Sequence, residues 1–370
     1  MNLLISAGEA SGDLHGSRLL QALRKARPLV QAFGMGGSRM EAAGLQRIVS
    51  ADALSVFGVL EVFEKLPGLR RALASLDAAA RSRSPAAAVL IDFPDFHGLL
   101  ARRLRRRGVP LIYYVSPQVW AWRRYRARRI AQSARRIITL FPFEAEIYRE
   151  LGADAICAGH PLVEDVRDGL AAPSPLPPKT RRRLVLLPGS RDTELRRHWA
   201  TLSEAAAALS RRFDLEVVAM RASSLPESLF PGAAERGIRL VSEGLHPILA
   251  SADLALVASG TATLEAALCG APMVVFYKTS AFTWTIARAL VRLRWASLVN
   301  IVAREELVPE LIQDAFTAER VVEAGAALLS DPERTSTMRE GLARVARELG
   351  PPGASARAAA LVLSAVETRP

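Results

Sequence analysis

From end to end, short apolar runs of β-forming residues alternate with longer stretches of helical periodicity, and that alternation restricts the chain to the α/β class. Leu3–Ser6, Val89–Asp92, Leu111–Val115, Arg136–Leu140 and Ala155–Ala158 are the strand candidates of the first half. Leu184–Leu187, Leu215–Met220, Ile238–Val241, Leu254–Ala258 and Pro272–Tyr277 are those of the second. Several are continuously apolar, as strands are when helices cover both faces of a parallel sheet. Between the halves, the stretch from Ala171 to Thr180 carries four prolines, which excludes a continuous helix or a central strand. The expected organisation is a Rossmann-like domain over 1–170, a Pro-rich linker over 171–181, a second Rossmann-like domain over 182–350 and a C-terminal helix over 351–370. Two doubly wound domains of this kind face each other across a cleft at the carboxyl ends of their strands.

The 370 residues are enough for each half to bury its own core, and 50% hydrophobic with 23% charged residues excludes disorder for the bulk. A net charge of +12 points to anionic partners: nucleic acid, an anionic membrane surface or phosphorylated substrates. Only 6% of residues are aromatic, and apart from Tyr125 the basic clusters lack interleaved stacking residues, so no nucleic acid is expected. Cys157 and Cys269 read as reduced thiols of a cytoplasmic protein. Residues 1–7 read as a first strand and not as a signal peptide. The most apolar long stretch, Phe282 to Val302, is interrupted by Arg288, Arg292 and Arg294, so the protein is expected to be soluble or peripheral.

Chemistry concentrates where strands run into helices. Gly8-Glu9-Ala10-Ser11-Gly12-Asp13 follows the first strand and sets a carboxylate, a hydroxyl and two glycines at a ligand-facing turn, although Ser11 or Asp13 also serves as an N-cap in the plainer reading. Asp92-Phe93-Pro94-Asp95-Phe96-His97 ends another strand. Pro94 keeps its backbone extended or turning, so Asp92 is placed to act as a general base, while Asp95 is the better candidate cap. Leu187-Pro188-Gly189-Ser190-Arg191 offers backbone N–H groups, the Ser190 hydroxyl and the Arg191 guanidinium, a set suited to a pyrophosphate; pairing of Arg191 with Glu194 is the surface default. In Ser259-Gly260-Thr261-Ala262-Thr263-Leu264-Glu265 the helix start can hold a diphosphate, with Glu265 one turn further to accept from ribose hydroxyls. Two anion-ready turns in one half make a nucleotide-diphosphate donor the leading expectation. The five histidines are scattered without ligand spacing, so neither a metal nor another cofactor is expected. His160 reads as a structural histidine or as part of the cleft lining.

These segments, together with Tyr114-Val115-Ser116-Pro117-Gln118-Val119-Trp120-Ala121-Trp122-Arg123 and Ser297-Leu298-Val299-Asn300, occur in an order that resembles lipid-A-disaccharide synthase. The match runs from about residue 2 to about residue 315. The resemblance implies a GT-B fold and an inverting, metal-independent glycosyltransferase. Such an enzyme transfers 2,3-diacylglucosamine from its UDP derivative to the 6-hydroxyl of 2,3-diacylglucosamine 1-phosphate, in lipid A biosynthesis. Carried onto matching positions, it implies Asp92 as catalytic base with Glu9 in reserve, Arg191 as a phosphate-binding or catalytic cation, and Asn300 at the donor site. It further implies Glu265 on the ribose, the Gly260, Thr261, Ala262 and Thr263 helix start on the pyrophosphate, and Ser11, Gly12 and Asp13 on the acceptor side. Val299 stands where the family commonly has proline, and His97 where it commonly has asparagine. Peptidoglycan N-acetylglucosaminyltransferases and UDP-N-acetylglucosamine epimerases would share the pyrophosphate turns but not the Ser-Pro-x-Val-Trp-Ala-Trp run.

An acylated substrate needs a route out of the bilayer. Leu60, Val62, Phe63, Leu66 and Leu69, followed by Arg70 and Arg71, form either a membrane-facing apolar patch bordered by basic residues or a helix packed on the sheet. The arginine clusters at 102–107 and 123–136 read for the most part as solvated helix faces and otherwise as attractors of anionic headgroups; the anionic inner-membrane surface is an expected partner, and peripheral attachment on its cytoplasmic side the expected location.

Overall fold

The computed structural model describes residues 1–51, 59–116, 125–281, 284–285, 288 and 294–367. Two compact units make up the chain, Met1–Pro161 with Gly350–Pro370, and Leu162–Leu349.

The first unit holds β1 (Asn2–Ala7), β2 (Gln31–Gly36), β3 (Leu45–Ser50), β4 (Ala87–Ile91), β5 (Leu111–Tyr114), β6 (Arg136–Thr139) and β7 (Ala155–Cys157) in the order β3-β2-β1-β4-β5-β6-β7. All its pairings are parallel. The helices are α1 (Ala10–Ala26), α2 (Ser38–Ala42), α3 (Val59–Arg83), α4 (Pro94–Arg106), α5 (Tyr125–Ser133) and α6 (Pro142–Glu150). Leu76 of α3, Leu100 and Leu104 of α4, Ile130 of α5 and Tyr148 of α6 pack with Leu4, Leu90 and Ile137 in one buried cluster. The C-terminal helix Ala354–Glu367 lies on α1, and Arg136 Nη1 donates to its Leu361 carbonyl at 3.1 Å and to Ser364 Oγ at 2.6 Å. The winding direction reverses between β1 and β4, where Ala7 pairs with Ile91. Ligands of open parallel sheets bind at such a reversal.

The second unit repeats the plan with β8 (Arg182–Leu187), β9 (Leu215–Met220), β10 (Ile238–Val241), β11 (Leu254–Ala258), β12 (Met273–Tyr277) and β13 (Glu310–Ile312) in the parallel order β10-β9-β8-β11-β12-β13. Its reversal falls between β8 and β11, where Leu187 pairs with Val257. Its helices include α7 (Leu162–Leu170), α8 (Asp192–Phe213), α9 (Leu245–Ala250) and α10 (Thr261–Leu268).

The boundary lies earlier than the sequence pattern puts it. Leu162 and Val166 are the buried face of α7, and that helix packs on α9 and α10, so it joins the second unit although it follows the last strand of the first. The Pro-rich stretch also belongs to the second unit and is not a free linker. Leu176 is buried, and the Pro177 carbonyl accepts from Arg183 Nη2 at 3.3 Å.

Candidate active site

At the reversal of the first sheet, β1 ends at Ala7 and α1 begins at Ala10, with Glu9 as the N-cap residue and exposed. The neighbouring strand β4 ends at Ile91, and the next two residues, Asp92 and Phe93, are both left-handed, with φ of 50° and 51°. Gly8 is required here: a Cβ on it would lie 2.2 Å from the Phe93 ring. Gly12 brings α1 close to β1, since its Cβ would meet that of Ala7 at 3.2 Å. The Asp92 carboxyl is half-buried. Burial, reinforced by the charge of Glu9, pushes its pKa up to about 6. A carboxylate tuned towards neutrality is suited to proton transfer near pH 7. Asp95 does not cap α4; it is exposed and forms an ion pair with Arg126.

At the reversal of the second sheet a cavity of about 470 Å³ opens between the ends of β8, β9 and β11. Ser190, Arg191, Gly260, Thr261, Ala262 and Glu265 all line it. Arg191 is the N-cap residue of α8 and its guanidinium meets Glu194 at 3.1 Å, while the Tyr277 hydroxyl donates to the same carboxylate at 3.2 Å. Gly260, with φ 148° and ψ −160°, precedes α10. The early backbone N–H groups of a helix have no carbonyl one turn back, so the start of α10 can receive an anion. Glu265, one turn in, faces His246 Nε2 at 3.3 Å.

Arg221, Ser242 and Met220 also line the cavity and escaped sequence reasoning, because they come from the ends of β9 and β10 and carry no local motif. The Arg221 Nη1 donates to the Leu225 carbonyl at 2.7 Å, while its Nε is buried without a hydrogen-bond partner among the described residues. A buried donor of that kind needs an acceptor, which a bound ligand oxygen can supply.

Three residues expected at the site have their polar atoms engaged elsewhere. Asp13 is buried and accepts from the backbone N–H groups of Gly37 (2.7 Å), Arg39 (3.1 Å) and Met40 (3.1 Å), capping α2. The buried Thr263 hydroxyl donates back to the Gly260 carbonyl at 2.8 Å. Asn300 is buried; its Nδ2 donates to the Val308 carbonyl at 2.9 Å and to Glu310 Oε1 at 2.8 Å, and its Oδ1 accepts from Leu307 and Val308 N–H, both at 2.9 Å. An amide that makes these four bonds has its donors and an acceptor oxygen occupied by protein. Ser11 is exposed in the first turn of α1. Pro117 to Arg124 and the side chains of Leu60, Val62, Phe63 and Leu66 lie outside the described residues, whereas Leu69 is partly buried against the core of the first unit. His160 is buried, with ring contacts to His15 and Phe141.

The family model described as Lipid-A-disaccharide synthetase matches residues 3–364. A lipid-A-disaccharide synthase of Myxococcus xanthus is 40% identical over 378 residues, covering 98% of this chain and 96% of that protein. One from Geobacter metallireducens is 38% identical over 369 residues with the same coverage of both. Among solved structures, the calicheamicin glycosyltransferase superposes with a TM-score of 0.68 at 16% identity, covering 100% of this chain and 99% of the other. A UDP-GlcNAc 2-epimerase from Neisseria meningitidis, bound to UDP-GlcNAc, gives 0.63 at 10% identity, with 98% and 100% covered. The structural likeness speaks for the GT-B fold and the sequence likeness for the family: this chain belongs to the lipid-A-disaccharide synthase family of glycosyltransferases.

Proposed function

We propose that this chain transfers 2,3-diacylglucosamine from UDP-2,3-diacylglucosamine to the 6-hydroxyl of 2,3-diacylglucosamine 1-phosphate, forming the β-1,6-linked lipid A disaccharide 1-phosphate and UDP. The observation that carries this reading is the single cavity in which the Gly189–Arg191 turn, the α10 start and Glu265 meet. In that reading the UDP moiety lies along the two turns, Glu265 takes the ribose hydroxyls with His246 orienting it, and Arg221 supplies a further donor. The reaction is one displacement at the anomeric carbon. The acceptor hydroxyl gives its proton to Asp92 as the new bond forms, and the departing diphosphate gathers charge that Arg191 and the α10 N–H groups stabilise without a metal. Glu9 is assigned an electrostatic role, because its charge is one of the two causes that raise Asp92.

Acyl chains on both substrates call for peripheral association with the anionic cytoplasmic face of the inner membrane, through Leu60, Val62, Phe63, Leu66, Leu69 and nearby arginines. The test of the reaction is incubation of purified protein with the two lipids and mass-spectrometric detection of disaccharide. Asp92→Asn is expected to lower kcat by about 100- to 10,000-fold. Full activity of that variant overturns the base assignment, and turnover of unacylated UDP-sugars in place of the lipid pair overturns the substrate class.

A further inference from the structure

Two consecutive left-handed residues without glycine, Asp92 and Phe93, are a costly way to end a strand, and such a turn persists only where its surroundings hold it. The Asp92 N–H donates to the Val115 carbonyl at 3.2 Å, and the side chain that holds the turn from the other side is His97, fully buried in the first turn of α4. Its Nδ1 hydrogen-bonds the Asp92 backbone carbonyl and its Nε2 lies 2.8 Å from Ser6 Oγ, near the end of β1. A carbonyl can only accept, so Nδ1 carries the proton, Nε2 is the acceptor, and the Ser6 hydroxyl donates to it. The ring is packed edge-on against Phe93 and Phe96, with centroids 6.0 and 5.9 Å away, and these two phenyl rings stack at 5.5 Å. One imidazole thus ties together the two strands that flank the reversal of the first sheet.

We propose that Ser6 and His97 form a positioning relay that holds Asp92 in the left-handed turn from which its carboxylate takes the acceptor's proton. This rests on the reading of Asp92 as base. His97 is a positioning residue, since it reaches the carboxyl through the backbone it holds. Burial pushes its own pKa down to about 4, so the relay stays neutral across the pH range in which Asp92 ionises. Among the described residues, the Asp92 carboxyl meets the charge of Glu9 from the start of α1, which raises it, and the Phe93 backbone N–H, which lowers it, while the neutral His97 ring of α4 holds the Asp92 backbone.

The experiment compares wild type, His97→Leu, His97→Asn and Ser6→Ala by kcat, acceptor KM and the pH profile of kcat/KM, with melting curves to verify folding. Wild type is expected to lose activity below a pKa of about 6. In His97→Leu the freed turn lets water reach the carboxyl. Its kcat is expected to fall at least about 10-fold with acceptor KM within about 3-fold, and the acid limb to move towards the ordinary carboxylate range near 4. His97→Asn can place an amide N–H where Nδ1 stands, and is expected to restore kcat to within about 3-fold of wild type together with the acid limb. Ser6→Ala removes one oxygen and is expected to shift the limb in the same direction as His97→Leu but by less; it carries the test if the leucine variant fails to fold. A folded His97→Leu or Ser6→Ala with the wild-type acid limb overturns the relay, as does an asparagine variant no better than leucine. The two readings fail differently: an active Asp92→Asn overturns the base, whereas an inactive Asp92→Asn beside an unperturbed His97→Leu overturns only the relay.

Discussion

Asp13 turns its carboxylate to three backbone N–H groups at the start of α2, and Asn300 closes four hydrogen bonds around the loop that leads to β13. Both look like ligand-binding residues in a linear reading, because a polar side chain beside a glycine-rich or helix-starting segment is compatible with either task. Their partners lie up to 27 residues away along the chain, and a count of occupied donors and acceptors needs those partners in place. The consequence is measurable. Asp13→Ala strips a charged acceptor from buried N–H groups and is expected to lower unfolding stability by about 2–3 kcal/mol. UDP affinity should stay at the wild-type value, because the residues lining the candidate UDP cavity all belong to the other unit. Denaturant midpoints and calorimetric titration with UDP report the two quantities separately. A variant of normal stability with weakened UDP binding would return Asp13 to the site.

The turn from strand to helix is the element on which both candidate sites are built, and each sheet anchors its turns with a buried neutral histidine. In the second unit His198 Nδ1 donates to the Pro188 carbonyl at 2.8 Å and its Nε2 lies 3.1 Å from both the N–H and the carbonyl of Lys278, joining the ends of β8 and β12; burial lowers its pKa. Gly260 occupies backbone space that is essentially closed to other residues, yet a Cβ on it would meet nothing within 4 Å. Gly260→Ala therefore acts through strain alone, at about 1–3 kcal/mol. If the turn relaxes by rotating the first N–H groups of α10 away from the cavity, UDP binding weakens by about 5- to 150-fold. Gly98→Ala, on α4 and equally free of contacts, is the control and is expected to be neutral or slightly stabilising. Unchanged UDP affinity in Gly260→Ala would remove the α10 start from the diphosphate site. These turns were legible because glycine, serine and a following helical period are local signals. Ten strands were legible as apolar runs, but β2, β3 and β13 were not. β2 reads Gln-Ala-Phe-Gly-Met-Gly, and its Gly34, where a Cβ would fall 2.0 Å from the Ile5 carbonyl oxygen, is demanded by close approach to β1 and weakens the strand signal. β3 is an edge strand, mostly half-exposed, and β13 is an edge strand of three residues.

Across the whole molecule the basic excess is unevenly spread. Of a net +12, α4 and α5 carry seven arginines against one aspartate, and the groove of about 390 Å³ between them is lined by Arg102, Arg105, Arg126 and Arg129 around Leu99, Tyr113 and Ile130. Arg126 is paired with Asp95, and Leu99 is 49% exposed. No helix among the described residues is long and apolar enough to cross a membrane. Both helices share one face of the sheet with α3, since residues of all three enter the same buried cluster. An anionic bilayer meeting that face would gain about 1 kcal/mol for each arginine held near its surface. Arg102→Ser with Arg105→Ser is thus expected to reduce partition onto phosphatidylglycerol-containing vesicles by about 30-fold. Raising ionic strength to 1 M shrinks the Debye length to about 3 Å and should weaken wild-type binding in the same sense. Leu60→Ser, Phe63→Ser and Leu66→Ser together test the apolar contribution, which salt does not screen, and should lower partition onto neutral phosphatidylcholine vesicles as well. Co-sedimentation of the three proteins with both kinds of vesicle separates these terms. Equal partition of wild type and both variants, insensitive to salt, would overturn membrane attachment through this face.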